Sequence, residues 1–516
     1  MSSYHYYNNH QVFSTSNMAF YSSHFLSRCL MNNNKRVYSL SRINGLVAPN
    51  KSRNSSSTAS TTSTTSSPST YPTTSALKLA PLNNGSAESI RSAVTTPVWP
   101  LQRLSTAALL RTIFLSRLFA NPNLSRFGIN ILQMLAGSRN PLLDPDRNWL
   151  LNRILRAVIY NHFCAGAEPS EICKTVASIK GVGYAGVILN YAREIIAHEL
   201  AESDPNVNIS AQQIQHWLDG NLQTLSMIGR GDYIGIKYTG AGSRVASALI
   251  AGEEPPQQFQ DALDKICQQA QIQGTRILVD AEQQVYQSTI DKWTIDMMRK
   301  YNRGGNSLVL NTYQSYLKAS RNVIRDHLEI AHREGWTLGI KLVRGAYILN
   351  EVRERIHDTK SETDASYNGI AHDLLLRSFD DITRNKFPDV QLFLAGHNAD
   401  SIRRAVQLHR DLTLRDLSPG TLELGQLYGM ADHVSGELLA YAEAPKRYGE
   451  LSKEQIALAS NAAPLVFKCV NWGTVRECLH FLMRRAAENQ GAVERLKDGL
   501  AEAKRELKAR LFRTAR

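Results

Sequence analysis

The residues that could carry chemistry in this sequence stand at the ends of short apolar runs. A single polar residue at a strand end is usually solvated, or it caps the helix that follows. Here six successive runs end in this way, which indicates side chains that converge on one site. The end residues are Lys237, Asp280, Asn311, Lys341 with Arg344, His397 with Asn398, and Gln426.

The run Lys341-Leu-Val-Arg-Gly-Ala-Tyr347 joins two cations to two small residues. Glycine lets the backbone approach a flat or phosphorylated ligand closely. Cations beside a bound isoalloxazine ring can also stabilise its anionic reduced form. No Gly-x-Gly-x-x-Gly follows a strand, so the sequence does not support a Rossmann dinucleotide-binding domain.

Two adjacent arginines, Arg484 and Arg485, lie on a helical segment near the carboxyl terminus. Glu488 is three residues beyond Arg485 and can pair with it on one helix face. A guanidinium can hold a substrate carboxylate through two parallel hydrogen bonds. Taken alone, this motif is better interpreted as an exposed charged helix face.

Strands alternating with helices must position these residues. Helical periodicity at 292–299 and 316–334 separates β-branched or apolar runs. Eight such units over about 260 residues are what a (βα)₈ barrel requires, with working residues after the strands. An open doubly wound sheet is the alternative. The predicted strands are 233–237, 276–280, 307–311, 338–343, 390–395, 422–426, 432–441 and 464–468.

Composition divides the chain into three parts. Residues 1–75 are rich in Ser, Thr and Asn and contain no acidic residue, which is typical of a mitochondrial transit peptide. A generic disordered tail is the alternative. We expect a helical amino-terminal region over 76–230 and a barrel with a carboxyl-terminal helix over 231–516.

The net charge of +13 is concentrated at the amino terminus. Residues 1–143 hold 13 basic residues and one acidic residue, so the remaining chain is nearly neutral. This distribution removes the main support for nucleic-acid binding. The six cysteines form no CxxC pair, and we expect no metal site.

Membrane attachment, if present, must be peripheral. The most apolar stretch, 104–120, is interrupted by Arg111 and Arg117, whereas a spanning helix needs about 20 apolar residues. An amphipathic helix lying on a membrane surface fits this stretch. An ordinary helix that packs on the core fits it better.

Five motifs together resemble the FAD-dependent proline dehydrogenases in their eukaryotic, mitochondrial and fungal-like form. The likeness runs from about 231 to 490, half of the chain, and the family fold is a distorted (βα)₈ barrel. The motifs are Val279-Asp-Ala-Glu282, Lys341-Leu-Val-Arg-Gly-Ala-Tyr347, Gly396-His-Asn398, Gln426-Leu-Tyr-Gly-Met430 and Arg484-Arg-Ala-Ala-Glu-Asn489.

The resemblance implies roles for the matched positions. Arg484 and Arg485 would bind the carboxylate of L-proline, with Glu488 holding the pair in place. Four further residues would complete the substrate pocket: Lys237, Asp280, Leu427 and Tyr428. The residues around FAD would be Asn311, Lys341, Val343, Arg344, Gly345, Ala346, Tyr347, His397, Asn398 and Gln426.

The sequence departs from bacterial members of the family at several of these positions. Bacterial members have Arg in place of Lys341, Lys in place of Arg344 and Gln in place of Asn311. Two pocket tyrosines align with Cys469 and Phe481. Without those two hydroxyls, the fit of the pocket around the proline ring differs from that of the bacterial members. Oxidation of hydroxyproline, as in a relative of this family, is therefore an alternative function.

The resemblance also implies partners and a location. Electrons would pass from FAD to ubiquinone, the protein would contact the matrix side of the inner mitochondrial membrane peripherally, and stretch 104–120 is a candidate for that contact. Because no aldehyde-dehydrogenase segment follows residue 490, we expect the single-function form. A catalytically inactive barrel with a binding or regulatory role is a further alternative, opposed by the intact Asp280, Lys341, Arg484 and Arg485.

Overall fold

The computed structural model describes residues 100–138, 140–192, 207–348, 351–417, 419–447, 460–490 and 493–513. The predicted transit segment 1–75 lies outside these residues, as does 76–99.

Eight parallel strands close into a barrel in sequence order. The first and last strands pair along their length, from Gly186 beside Phe467 to Tyr191 beside Trp472. This closure confirms the predicted (βα)₈ barrel and excludes the open sheet. The strands are β1 Gly186–Tyr191, β2 Tyr233–Ile236, β3 Arg276–Val279, β4 Val309–Gln314, β5 Leu338–Val343, β6 Val390–Ala395, β7 Leu422–Leu427 and β8 Leu465–Trp472.

Helices connect the strands and form the outer layer. Short helical turns lie at Pro141–Leu143, Asn161–Phe163, Thr239–Ala241, Arg353–Arg355 and Arg384–Lys386, and a π-helical turn spans Arg156–Tyr160. The longer helices are α1 Thr106–Ala120, α2 Pro122–Gly137, α3 Trp149–Leu155, α4 Pro169–Val182, α5 Val207–Ser226, α6 Ser243–Ala251, α7 Gln257–Gln273, α8 Gln284–Tyr301, α9 Ser320–Glu334, α10 Lys360–Leu376, α11 Ala399–Thr413, α12 Asp432–Arg447, α13 Val475–Gln490 and α14 Val493–Arg513.

Two sequence predictions about the strands are wrong. One predicted strand is a helix and one real strand was not predicted, so the total of eight is still correct. The run 432–441 belongs to helix α12, because its apolar residues Val434, Leu438 and Leu439 recur with the helical period and are buried together. Strand β1 lies instead inside the region expected to be helical. The barrel therefore begins at Gly186 and not at 231.

The main core lies between the sheet and the surrounding helices. A smaller cluster fills the barrel itself, as side chains do in barrels of eight strands. Because side chains alternate along a strand, these residues mark which strand positions face inward. The inward cluster contains Ile188, Tyr233, Leu278, Leu310, Phe393 and Phe467.

The amino end of the barrel is closed by Tyr233, Arg276 and Glu423. Glu423 accepts hydrogen bonds from the Tyr233 hydroxyl and, at 2.6 Å, from the Arg276 guanidinium. That guanidinium also lies 4.1 Å from the centre of the Tyr233 ring. Each charged group thus has a partner inside the protein, so this end of the barrel has a structural role.

Helices α1, α2 and α3 form a layer with α13 on one side of the barrel. Their buried side chains, among them Phe119, Leu132, Leu155 and Leu482, make a separate apolar cluster. Helix α14 packs against α1 through Ala503 and Leu109. Among the described helices, none is long and apolar enough to cross a membrane.

Candidate active site

An ion pair occupies the carboxyl end of the barrel. Lys341 of β5 is aligned with the inward-facing Phe393 of β6, so its side chain also points into the barrel. Its Nζ atom donates a hydrogen bond to Asp280 Oδ1 at 2.6 Å, just beyond the end of β3. Lys341 is 8% exposed, which limits the solvent screening of this pair.

Cys469 of β8 lies beside this pair. Its thiol accepts a hydrogen bond from Asn190 Nδ2 of β1 at 3.4 Å. Burial raises the pKa of Cys469, while the charges of Lys341 and Arg485 lower it and that of Asp280 raises it further. Three charged groups from β3, β5 and α13 therefore surround one protonated thiol.

Helix α13 brings the two arginines to the same end of the barrel. Arg485 is only 7% exposed, and its guanidinium lies 5.0 Å from the centre of the Phe481 ring one turn earlier. Arg484 is half-buried. The side chain of Glu488 lies outside the described part of α13, so its expected contact with the arginines stays a prediction.

Lys237 lies at the end of β2, near Asp280 and Glu282. Burial raises the pKa of Glu282, and the Lys237 charge lowers it again. Glu282 accepts hydrogen bonds from the backbone N–H and the hydroxyl of Thr239. This carboxylate therefore fixes the loop that follows Lys237.

Arg344 is held over the ends of β5 and β6. Its Nε donates to Asp364 at 2.7 Å and its Nη2 donates to the Ser401 hydroxyl at 2.8 Å. The guanidinium lies 4.3 Å from the centre of the Tyr367 ring. A Cβ atom at Gly396 would stand 3.5 Å from Arg344 Nη1, so this glycine borders the cation directly.

The glycine after Arg344 is required by the backbone. Gly345 has φ +146°, and a Cβ atom there would overlap the ring of Tyr316. The next N–H, that of Ala346, donates to Gln314 Oε1 at 3.3 Å. The loop thus leaves β5 in a conformation and a space that only glycine fits.

His397 and Asn398 have backbone partners. His397 Nε2 accepts a hydrogen bond from the Leu427 N–H at 3.1 Å, which places the ring beside the end of β7. Asn398 caps α11 by accepting from the Ser401 N–H at 3.1 Å. The capping role considered for Asn398 from the sequence is therefore present.

Three of the expected site residues face away from the barrel interior. Asn311 donates to Asp291 of α8 at 2.7 Å, and Gln426 accepts from Ser435 of α12 at 2.9 Å. Tyr428 packs against the main core outside the barrel. Strand alternation explains this, since each directly follows an inward-facing position at Leu310, Gly425 or Leu427.

Sequence reasoning missed two polar residues of the site. Asn190 belongs to the strand that was not predicted, although its short apolar run after Gly186 was a detectable signal. Gln314 links three strands, because it accepts from Ala346 and donates to the Glu282 carbonyl at 3.3 Å. It ends β4 three residues after the predicted strand end at Asn311.

Two cavities flank this end of the barrel. One of about 70 Å³ is lined by His397, His162 and apolar residues of α1. The other, of about 400 Å³, is lined by Gln314, Asp291 and neighbouring residues of α8 and α9. Across the described residues, no group of three His, Cys, Asp or Glu side chains is placed to hold a metal ion.

The fold and these side chains together define a class of protein. It is a (βα)₈-barrel enzyme whose candidate ligand site, at the carboxyl end of the strands, combines an ion pair with a buried arginine, and these groups suit a small zwitterion.

Comparison with known proteins agrees with that class. Residues 172–498 match the family model described as proline dehydrogenase. The chain belongs to the proline dehydrogenase family, whose members are flavin-dependent oxidoreductases acting on proline. The matched region begins before β1, in agreement with the barrel boundary seen in the structure.

Three relatives show the extent of the similarity. The probable mitochondrial proline dehydrogenase of Schizosaccharomyces pombe is 28% identical over 71% of this chain and 82% of its own length. Human mitochondrial proline dehydrogenase 1 is 32% identical over 45% of this chain, and the match covers only 35% of the human protein. Mouse hydroxyproline dehydrogenase is 26% identical over 80% of this chain and 93% of its own length.

A solved structure shares the fold. A crystal structure of proline utilization A from Bdellovibrio bacteriovorus, inactivated by N-propargylglycine, superposes with a TM-score of 0.55 at 14% identity. The superposition covers 78% of this chain and 40% of that one.

The residues at the barrel end fit the FAD that the family implies. The buried Tyr367 hydroxyl has no hydrogen-bond partner among the described residues, and it lies beside Arg344 and Gly396. A donor, a cation and a glycine without a side chain together suit an anionic, phosphorylated ligand. The Lys341 ammonium suits a ring that gains negative charge on reduction.

Proposed function

We propose that this protein oxidises L-proline to 1-pyrroline-5-carboxylate at the carboxyl end of its barrel. One observation carries the proposal: the Asp280–Lys341 ion pair and the buried Arg485 meet around Cys469, although they come from three different elements. This charge pattern matches a small substrate that carries both a carboxylate and an amine.

The arginines would bind the substrate carboxylate. Arg485 is held by Phe481 in a buried position, where a charged hydrogen bond is stronger than in water. Arg484 would also bind the carboxylate, and Glu488 would hold the two arginines in place. Lys237, Asp280 and Leu427 would line the rest of the pocket. This arrangement would orient the carbon next to the ring nitrogen toward the cofactor.

FAD, when bound, supplies the redox chemistry by accepting a hydride from that carbon. The substrate nitrogen also loses a proton, so that a C=N bond forms and two hydrogens leave proline. The contacts we propose for FAD are Lys341, Val343, Arg344, Gly345, Ala346, Tyr347, His397 and Asn398. Asn311 and Gln426 are left out of these contacts, and Tyr428 is left out of the substrate pocket, because their side chains face the helices.

The proposed location is the mitochondrion, on the matrix side of the inner membrane. The relatives from fission yeast and human are named as mitochondrial proteins. Ubiquinone is the proposed electron acceptor, which requires peripheral contact between this protein and the membrane that contains it.

A product assay tests the proposed reaction. Purified protein with L-proline and a water-soluble electron acceptor should form a product two hydrogens lighter than proline, identified by mass spectrometry. Folded, flavin-containing protein that forms no such product would support the inactive-barrel alternative.

Hydroxyproline oxidation is the second candidate. Cys469 replaces a bulky tyrosine of bacterial relatives beside the ion pair, and the match with mouse hydroxyproline dehydrogenase spans 93% of that protein. The ratio of kcat/KM for L-proline to that for trans-4-hydroxy-L-proline decides between them, and we expect it to exceed one.

A further inference from the structure

Exposed apolar side chains of the described chain are concentrated in helices α1 to α3 and the segments that join them. Of nineteen large apolar side chains that are exposed among the described residues, eleven fall between residues 110 and 158. Soluble proteins rarely expose so many neighbouring apolar groups without a binding role. We call this surface the outer apolar face and define it by Leu124, Phe127, Ile131, Met134, Trp149 and Ile154.

Helix α2 shows that this face is separate from the core. Leu124, Phe127, Ile131 and Met134 recur at intervals of three and four residues and so form one stripe along the helix. A different face of the helix, carrying Leu132 and Leu135, is buried in the cluster shared with α13. The helix is thus apolar on two faces, although the core needs only one.

The helix ends here are well formed, so the exposure is not a consequence of unravelling. Asn121 caps α2 by accepting from the N–H groups of Asn123 and Leu124, and Pro122 stands at the first helical position. Asn148 caps α3 in the same way. The outer apolar face is therefore carried by folded helices.

Three exposed cations lie on the helices that carry the face. Arg117 of α1, Arg126 of α2 and Arg153 of α3 are exposed, and no described residue forms an ion pair with any of them. Stretch 100–143 contains no acidic residue. Arg153 stands one turn after Trp149, whose side chain is 74% exposed.

We propose that the outer apolar face docks this protein on a lipid bilayer with anionic headgroups. Apolar side chains, an exposed tryptophan and flanking cations are the combination that binds such an interface. A protein partner of similar shape would need acidic groups to match the three arginines, and it would leave the tryptophan without a special role. The proposal rests on the proposed function for the existence of a membrane contact, but its test by vesicle binding does not depend on proline oxidation.

The proposal changes the expected membrane contact. Stretch 104–120 was the candidate from the sequence, but Leu109 and Ile113 of α1 are buried against α14, and only Leu110 and Phe114 are exposed apolar residues of that helix. Helices α2 and α3 provide most of the face.

Vesicle sedimentation of the full chain tests the proposal. Wild-type protein should bind vesicles of phosphatidylcholine with phosphatidylglycerol at least tenfold more tightly than vesicles of phosphatidylcholine alone. Phe127→Ser/Met134→Ser should weaken that binding at least tenfold, and Arg117→Gln/Arg126→Gln/Arg153→Gln should do so only for the anionic vesicles.

The matched control replaces apolar residues with similar exposure elsewhere. Ile250→Ser/Ile272→Ser alters side chains that are 54% and 82% exposed, and it should bind vesicles as the wild type does. Every variant should keep the wild-type rate with a water-soluble acceptor, so failure to fold is detected independently of vesicle binding.

Two outcomes would overturn the proposal. If the Phe127/Met134 variant binds vesicles as tightly as wild type, the attachment comes from another part of the chain. The second outcome is that the wild type does not bind vesicles and is a dimer by light scattering, whereas this variant is a monomer. In that case a second copy of the chain occupies the face.

Discussion

The two ends of the barrel carry similar charged groups, but the carboxylate at the amino end is fully buried and the carboxylate at the carboxyl end is partly exposed. At the amino end, Glu423 has accepted hydrogen bonds from Tyr233 and Arg276, and its side chain is 2% exposed. At the carboxyl end, the Asp280 side chain is 17% exposed and the Lys341 side chain 11%. A layer of Leu278, Leu310, Phe393 and Phe467 separates the two ends.

We interpret this difference as one between charges that stabilise the fold and charges that are available to a ligand. Glu423 has its partners within the protein, so its removal should mainly affect stability. Lys341 and Arg485 both act on Cys469 beside the Asp280 carboxylate, and we propose that a ligand carboxylate binds to these two cations. On this proposal, the same residue types have a structural role at one end of the barrel and a binding role at the other.

The largest effect is expected for Arg485→Met. Loss of a charged hydrogen bond to the substrate carboxylate costs about 3 kcal/mol, which corresponds to a rise of roughly 100-fold in the KM for L-proline. Flavin content should be unchanged. Steady-state kinetics measure the change, with the exposed Arg404→Met as control, and an unchanged KM would refute the carboxylate assignment.

Glu423→Gln should change the free energy of unfolding by about as much as Arg485→Met changes the binding of proline. It should leave proline binding itself unchanged. Removing the charge leaves Arg276 without its carboxylate partner, which should lower the free energy of unfolding by roughly 3 kcal/mol. Denaturant unfolding measures this change. A shift of more than about threefold in the KM for proline, at full flavin content, would contradict the separation of the two ends.

The pH dependence of stability should reveal a buried histidine beside the carboxyl end. Burial lowers the pKa of His162 to about 4, and its Nε2 lies 2.9 Å from the Gly429 carbonyl. Between pH 6.5 and 4 the unfolded chain binds a proton that the folded chain does not, so the free energy of unfolding falls as pH falls. The loss should be about 3 kcal/mol over that window, because one pKa unit corresponds to about 1.4 kcal/mol.

The control for this titration is His162→Gln, which should flatten the profile between those pH values. If both proteins lose the same stability on acidification, another group is responsible.

Cys469→Ser should have the smallest effect. Burial raises the pKa of Cys469, so the thiol is neutral at pH 7, and a hydroxyl can still accept from Asn190. We expect less than about a threefold change in kcat/KM for proline, which is under 1 kcal/mol. A loss of 100-fold would indicate that the thiol takes part in the reaction.

The sequence predicted the barrel because its strands are short apolar runs followed by polar residues. Seven of the eight predicted strands coincide with β2 to β8 or with their main parts, and the eighth, 432–441, is helix α12. Local composition did not separate a buried helix from a buried strand there, because both are apolar. Strand β1 was overlooked because its neighbours α4 and α5 are helical.

The site was predicted only in part, because the sequence shows which residues are polar but not which way their side chains face. Lys237 and Asp280 directly follow β2 and β3 at inward-facing positions, Lys341 faces inward near the end of β5, and the structure brings all three to one end of the barrel. Asn311 and Gln426 are equally polar and equally close to strand ends, but they are one residue out of phase and face the helices. Residue type alone does not give that phase, because it depends on the register between strands.

The most direct test of the central claim is anaerobic addition of L-proline to the purified protein. We predict that the visible absorbance of bound flavin is bleached, and that D-proline at the same concentration leaves it unchanged. Bound flavin that stays oxidised with L-proline, in protein shown to be folded, would contradict the account.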